Sequence, residues 1–407
     1  MPRNFPRELL SVISPASRLS PADPNFAIEV IQSCLTSAIQ CGASDVHIQP
    51  RLESWEISFR IDGVLQPVES FPRSDESDPV ARLMALAGLP SYRMGVPQEG
   101  PLRWRSGGTK RNGVGDHNTS DHEMRLGIFP TVHGNRAAIR IMEERESVRQ
   151  LDELGLDDGT LDRLQTICDA RDGWLLVAGP AGSGKTTTLY ACLSHIAGGE
   201  FRRSVLSIED PIESVIDSIS QSQLQSSSGL TLASAMRAAV RQDAEVLLVS
   251  EIRDVETAEA VLAASMTGHL CFSSIHAGTI GGTLRRLVQM NLPTFAIQSG
   301  LRGVLCQRLL RRRCDVCDTT PKATKDCPRC HGTGYAGRVP ISQIVDLNDP
   351  QCGPAIFDAL AKQLPASDLD QIPKDAGIES LRCQAERLIE EGVTDREEVF
   401  RVLGRTS

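Results

Sequence analysis

Apolar positions change period along this chain, and the change divides it. Between Ala27 and Cys41 they recur at helical spacing, whereas Val46-His47-Ile48 and Trp55 to Ile61 read as strands, with Asp62-Gly63 as the turn before Val64. Met124 to Ile128 and Ala137 to Met142 are two further strand-like runs, which close an α+β domain over residues 26–145. The proline-rich residues 1–25 lack periodicity and read as a loose tail. Residues 106–121, with Gly107, Gly108, Gly113 and Gly115, read as an exposed loop. From about 150 to 310, short apolar runs alternate with helical patterns, which predicts a parallel sheet with helices on both faces.

Four of those runs end in residues of catalytic type. Trp174 to Ala178 leads into Gly179-Pro180-Ala181-Gly182-Ser183-Gly184-Lys185-Thr186, a complete G-x-x-x-x-G-K-[ST] phosphate loop, followed by Thr187. Leu189, Cys192, Leu193 and Ile196 then mark the helix that such a loop must feed. The glycines let backbone N–H groups turn inward toward a triphosphate, and the helix directs its positive end at the same point. In this arrangement Lys185 reaches the outer phosphates and the Thr186 hydroxyl completes the shell of Mg2+.

Ser204 to Ile208 ends at Glu209-Asp210, Val246 to Ser250 at Glu251, and Leu270 to Ile275 at His276. Open parallel sheets bind ligands beyond the carboxyl ends of their strands, so these ends are expected to converge on one nucleotide site. Glu251 fits the carboxylate that orients or deprotonates water, Glu209 and Glu251 are candidates to help hold Mg2+, and His276 is placed to sense or polarise the terminal phosphate.

With 407 residues, 40% of them apolar and 23% charged, the composition is that of a globular protein of several domains. A net charge of −9 argues against a broad nucleic-acid footprint, and nucleic acid is not an expected partner. No apolar run approaches the roughly 18 residues of a membrane helix, and the N-terminus lacks the apolar core of a secretion signal, so the expected location is cytoplasmic. Of the 12 cysteines, Cys314, Cys317, Cys327 and Cys330 form two C-x-x-C pairs, a closed donor set for structural Zn2+. Cys34, Cys192 and Cys271 fall inside apolar patterns and read as small buried hydrophobes.

In order along residues 26–345, these motifs resemble the assembly ATPases of type II secretion and type IV pilus systems. An aspartate box, Ser207-Ile-Glu-Asp-Pro-Ile-Glu213, follows the phosphate loop. Arg237, Arg241-Gln-Asp243 and Val249-Ser-Glu-Ile-Arg-Asp254 come next, then a histidine box from Thr267 to His276. The tetracysteine element and Gly332-Thr-Gly-Tyr-Ala-Gly-Arg338 complete the match and point to assembly members rather than retraction motors.

The resemblance implies a PAS-like domain over 26–145, a RecA-like P-loop ATPase domain over 146–310, a zinc element over 311–345 and a helical region over 346–407. It implies that Arg60, Arg125 and Arg140 of the first domain are delivered to the nucleotide. It further implies a homo-oligomeric ring, a hexamer, acting on an inner-membrane platform protein. The larger members carry an N-terminal docking domain that the 25 residues ahead of residue 26 do not match. Ala181 and Ser250 depart from the usual threonine and glycine, and Pro101 stands where an arginine is usual. Two other readings stay open at this point, a non-catalytic nucleotide-binding regulatory subunit and a nucleic-acid translocase.

Overall fold

The structure, a computed structural model, describes residues 20–23, 25–74, 77–93, 95–105, 121–142, 149–224, 229–317 and 327–405. The expected tail, apart from its last few residues, and nearly all of the expected loop at 106–121 lie outside them. The chain falls into two compact units, one of residues 1–144 with 313–337, the other of 145–312 with 338–407.

The first unit contains α1 (Phe26–Gln40), β1 (Asp45–Pro50), β2 (Ser54–Ile61), β3 (Val64–Pro72), α2 (Pro79–Leu86), β4 (Gln98–Arg105), β5 (Asp121–Thr131) and β6 (Gly134–Ile141). The strands form an antiparallel sheet in the order β3-β2-β1-β6-β5-β4. Alternation along β1, β2, β5 and β6 sorts their faces: Val46, Ile48, Ile57, Phe59, Leu126 and Ile139 are buried together with Phe26, Ile31 and Leu35 of α1. Asp78 caps α2 by accepting from the Val80 and Ala81 N–H groups, with Pro79 at the first helical position. The face opposite the core carries Asp45, Arg60, Arg125 and Arg140.

The second unit begins with a single 3-10 turn, Leu151–Leu154. There follow α3 (Asp158–Cys168), β7 (Gly173–Ala178), α4 (Lys185–Gly198), β8 (Val205–Glu209), β9 (Ser220–Gln223), α5 (Leu232–Ala239), β10 (Val246–Val249), α6 (Val255–Ser265), β11 (Leu270–Ile275), α7 (Ile280–Gln289) and α8 (Thr294–Gly300). The chain then runs through β12 (Leu301–Arg313) and β13 (Tyr335–Asp346) to α9 (Gly353–Ala361), α10 (Ala366–Asp375), α11 (Leu381–Glu390) and α12 (Arg396–Leu403).

Seven strands order as β13-β12-β7-β11-β10-β8-β9, and β12, β7, β11, β10, β8 and β9 pair in parallel. β7, β10 and β11 are buried at every position, as a strand covered on both faces must be. Alternate residues serve opposite cores: Leu175 and Val177 pack with α3 and α4, while Trp174 and Leu176 pack with α5 to α9. Helices do cover both faces, as the periodicity predicts. Cys192 and Cys271 are fully buried in this sheet region and Cys34 in the first unit's core, as expected of small hydrophobes.

The C-terminal helices complete the second unit. Asp370 of α10 accepts from the Gly281 N–H at 2.7 Å, satisfying a donor in the first turn of α7. Leu310 and Ile341 are covered by Ala385 of α11 and Val399 of α12.

Candidate nucleotide site and tetracysteine centre

Hydrogen bonds between neighbouring strands bring their carboxyl ends level. Gly179 N donates to Ile275 O at 3.2 Å, Ile252 N to Ser274 O at 2.8 Å, and Ser250 N to Ile208 O at 3.1 Å. Ser274 Oγ donates to Ser250 O at 2.7 Å, adding a side-chain tie between β11 and the end of β10. The phosphate loop, Glu209, Glu251 and His276 therefore share one edge of the sheet, the convergence expected from the sequence.

The loop between β7 and α4 is shaped for an anion. Gly182 and Gly184 have φ of 72° and 87°, values that open the left-handed region to glycine. α4 starts at Lys185 behind Gly184, with no side chain capping its first N–H groups. Ser183 Oγ is buried and has no hydrogen-bond partner among the described residues. The Lys185 ammonium donates to Gly179 O at 3.0 Å and Pro180 O at 2.9 Å. Burial pushes its pKa down and Arg308 pushes the same way, while Glu251 and Glu213 oppose them. Unfilled donors, glycines and a lysine held on its own loop fit a triphosphate.

One carbonyl links the lysine to the catalytic candidates. Gly179 O also receives His276 Nδ1 at 3.2 Å, and His276 Nε2 lies 3.2 Å from Glu251 Oε1. Arg253 Nε donates to Glu251 Oε2 at 3.0 Å. Both ring nitrogens of His276 thus face oxygen atoms, one on the phosphate loop and one on Glu251. The loop after β11 is itself held by two arginines, Arg286 donating to His276 O at 2.9 Å and Arg308 to Gly278 O at 2.6 Å.

Glu209 is placed differently. It is buried, accepts from Ser207 Oγ at 2.5 Å, from Gln221 Nε2 at 3.1 Å and from the Tyr190 hydroxyl, and so fills three of about four acceptor positions of a carboxylate. Burial raises the Tyr190 pKa and Glu209 raises it further, which keeps the hydroxyl a donor. Tyr190 and Gln221 also hold the loop after β8, through Glu213 N and through Ile216 N and Ser214 O. Thr186 is half-buried at the start of α4, and Thr187, Pro180 and Ala181 are exposed on the loop.

In the first unit, Arg60, Arg125 and Arg140 fall in one cross-strand row, because Asp45 pairs with Arg60 and Arg140, and Arg140 with Arg125. Asp45 Oδ2 is 3.3 Å from Arg60 Nε and Oδ1 is 3.4 Å from Arg140 Nε, while Arg125 meets Glu99 at 2.7 Å. Pro101 continues the row beyond Arg125.

The four cysteines come together as the spacing predicts. Their Sγ atoms all lie within 4.8 Å of one another, with Cys314 to Cys327 at 3.8 Å and Cys317 to Cys330 at 3.2 Å. A tetrahedral zinc with Zn–S bonds of ~2.3 Å needs sulfurs ~3.8 Å apart, so the cage fits with small adjustments. The Cys330 backbone N–H does most to bring the Cys327 thiol down to about 6, favouring the thiolate that a metal takes.

Sequence reasoning missed Gln307 and Arg308, which end a further apolar run on β12 beside the phosphate loop. The signal was available: a polar pair directly after the apolar run Val304-Leu305-Cys306, although β12 itself continues to Arg313.

A phosphate loop at the carboxyl edge of a parallel sheet, with an acidic residue and a histidine at adjacent strand ends, defines a P-loop nucleotide-binding protein. The chain belongs to the Type II/IV secretion system protein family, which it matches over residues 21–401. It is 34% identical to the Type II secretion system protein HxcR of Pseudomonas aeruginosa over 378 residues, 92% of this chain and 77% of that protein. It is 34% identical to the Type II secretion system ATPase E of Vibrio cholerae, over 92% of this chain and 75% of the relative. The Type IV pilus assembly ATPase PilB of Thermus thermophilus is 31% identical over 93% of this chain, which spans 43% of that relative. Among solved structures, the Legionella pneumophila ATPase DotB shares the fold at a TM-score of 0.63, with 18% identity and 98% coverage of each chain.

Proposed function

We propose that this chain is an ATP-hydrolysing motor that powers assembly of a pilus or pseudopilus in type II secretion or type IV pilus biogenesis. The observation that carries the reading is the junction at Gly179 O, where Lys185 and His276 meet and His276 passes on to Glu251. Relatives named as secretion and pilus assembly ATPases, matched along more than nine-tenths of this chain, support it.

Triphosphate entering the loop offers Lys185 stronger acceptors than two carbonyls and draws its ammonium onto the outer phosphates. Glu251 is the base that orients the attacking water, and His276 holds its carboxylate at a fixed distance from the loop. Thr186, Glu251 and Glu209 would hold Mg2+, which would supply charge neutralisation at the phosphates. Glu209 spends most of its acceptor capacity on pinning the loop after β8. Arg60, Arg125 and Arg140 act as a movable positive row for the transferred phosphoryl, since exposed ion pairs like Arg125 with Glu99 are worth only about 0–1 kcal/mol and are easily exchanged.

The working form is a hexameric homo-oligomer at the cytoplasmic face of an inner-membrane platform protein, reached through partners. Among the described residues no helix is long and apolar enough to cross a membrane. Cys314, Cys317, Cys327 and Cys330 would hold Zn2+ in a closed structural site that takes no part in the chemistry.

Steady-state ATP hydrolysis in magnesium, measured against protein concentration beside Lys185→Ala, tests the reading. A rate per subunit that rises with concentration and vanishes in the variant is expected. Absence of turnover at every concentration, with ATP still bound, would replace the motor by a regulatory subunit.

A further inference from the structure

We propose that Gln307 is a positioning residue of the nucleotide site, holding the phosphate loop in its anion-ready shape from below. This rests on the reading of that loop as an ATP site and deepens it.

Gln307 lies midway along β12, one residue past Cys306, which pairs with Ala178 at the end of β7. Its side chain is 4% exposed and its Oε1 accepts from Thr188 Oγ1 at 2.8 Å, Thr188 being fully buried in the first turn of α4. A Cβ at Gly184 would come within 2.8 Å of Gln307 Nε2, and one at Gly179 within 2.7 Å of Gln307 O. Gln307 thus closes the space beside both glycines that bound the loop, together with Ser183 of the loop itself at Gly179. Gln307 O also accepts from Arg308 NH1 at 2.8 Å, and that guanidinium continues to Gly278 O in the loop after His276.

Gln307 therefore acts at three places. Its side chain anchors the first turn of α4 through Thr188 and fills the space under Gly184, and its carbonyl, through Arg308, links β12 to the segment after His276. A loop without this anchor spends less time in the binding conformation, and apparent affinity falls in proportion to that fraction. A residue that merely packed the core would alter folding and leave affinity untouched.

The test is titration calorimetry with Mg·ADP on Gln307→Leu, Thr188→Val and the double variant, with thermal unfolding of each. Expected is a rise in Kd of about tenfold for each single variant and little further rise in the double, because both remove one interaction. Thr188→Ser, which keeps the hydroxyl donor, should return Kd toward the parent value. Parent affinity in Gln307→Leu, or fully additive effects in the double variant, overturns the proposal. If Gln307→Leu fails to fold, Thr188→Val and Thr188→Ser decide by the same criterion. A parent protein that bound no Mg·ADP would instead remove the underlying reading of the loop.

Discussion

His276 Nε2 stands 3.2 Å from Glu251 Oε1 while its Nδ1 faces Gly179 O at the same distance, so the imidazole spans from the phosphate loop to the acidic strand end. Two strand ends that the sequence separates by 97 residues, Gly179 and His276, are thereby locked together. The relationship ranks the two side chains. In the proposed reading, Glu251 would supply the carboxylate and His276 would fix its distance from the phosphate loop.

Glu251→Gln is expected to bind nucleotide near the parent affinity and to lose turnover by about 10²–10⁴-fold, the range for removal of a general base. His276→Ala should lower kcat less, about tenfold, because the base survives with its position loosened. Single-turnover hydrolysis alongside equilibrium ADP binding separates these effects. Parent turnover in Glu251→Gln would sink the assignment of the base.

Much of this site was legible in the sequence because its chemistry lies at strand ends. Glu251 and His276 each follow a run that is buried at every position, and such runs stand out from their polar neighbours. The expected strand Leu270 to Ile275 coincides with β11 for the same reason. β9, by contrast, reads Ser-Gln-Ser-Gln at the sheet edge and carries no hydrophobic signal; it is held by pairing with β8 rather than by burial. β3 and β4 bury little of their length and were likewise illegible. The engagement of Glu209 with Tyr190 and Gln221 was hidden too, because the partners come from α4 and from that edge strand. Acidic type after a strand reveals location, whereas the direction of the carboxylate depends on tertiary partners.

The arginine row should matter to turnover more than to folding. Arg125 and Glu99 are both mostly exposed, with side chains 60% and 64% accessible, so Arg125→Ala should change stability by less than about 1 kcal/mol. The same variant, and Arg60→Ala and Arg140→Ala, should lower kcat with ADP affinity nearly intact. Circular dichroism melts beside hydrolysis rates check this. Turnover unchanged in all three variants would make the row a surface feature only.

Replacing Cys314 and Cys317 by serine removes two of the four thiolates and leaves no closed site. Bound zinc in the purified protein should fall from one per chain to near zero by metal analysis, with increased proteolysis confined to the segment around residues 314–334. ADP binding should persist, since no donor to the phosphate loop is touched. Full zinc content in the double serine variant would place the metal elsewhere.

Acid should loosen the C-terminal helices before the sheet. Glu398 of α12 is fully buried against the end of β12, where Arg311 N and Nε donate to it at 2.9 Å each and Arg401 Nε and NH2 at 2.8 and 2.6 Å. Burial alone pushes its carboxyl up, but the hydrogen bonds from Arg401 and Arg311 outweigh that and hold it at about 2, below the usual 4.5. A carboxyl depressed on folding stabilises fully above its ordinary value, and that contribution drains away as pH falls from 4.5 toward 2. Hydrogen exchange over residues 381–403 should therefore accelerate across that window while β7 and β11 remain protected. Glu398→Gln keeps the shape and removes the charge, so it should cost about 3–5 kcal/mol at neutral pH, as breaking a buried pair does, and should flatten the acid response of α12. An acid profile in the glutamine variant as steep as in the parent would mean that another group controls the release of these helices.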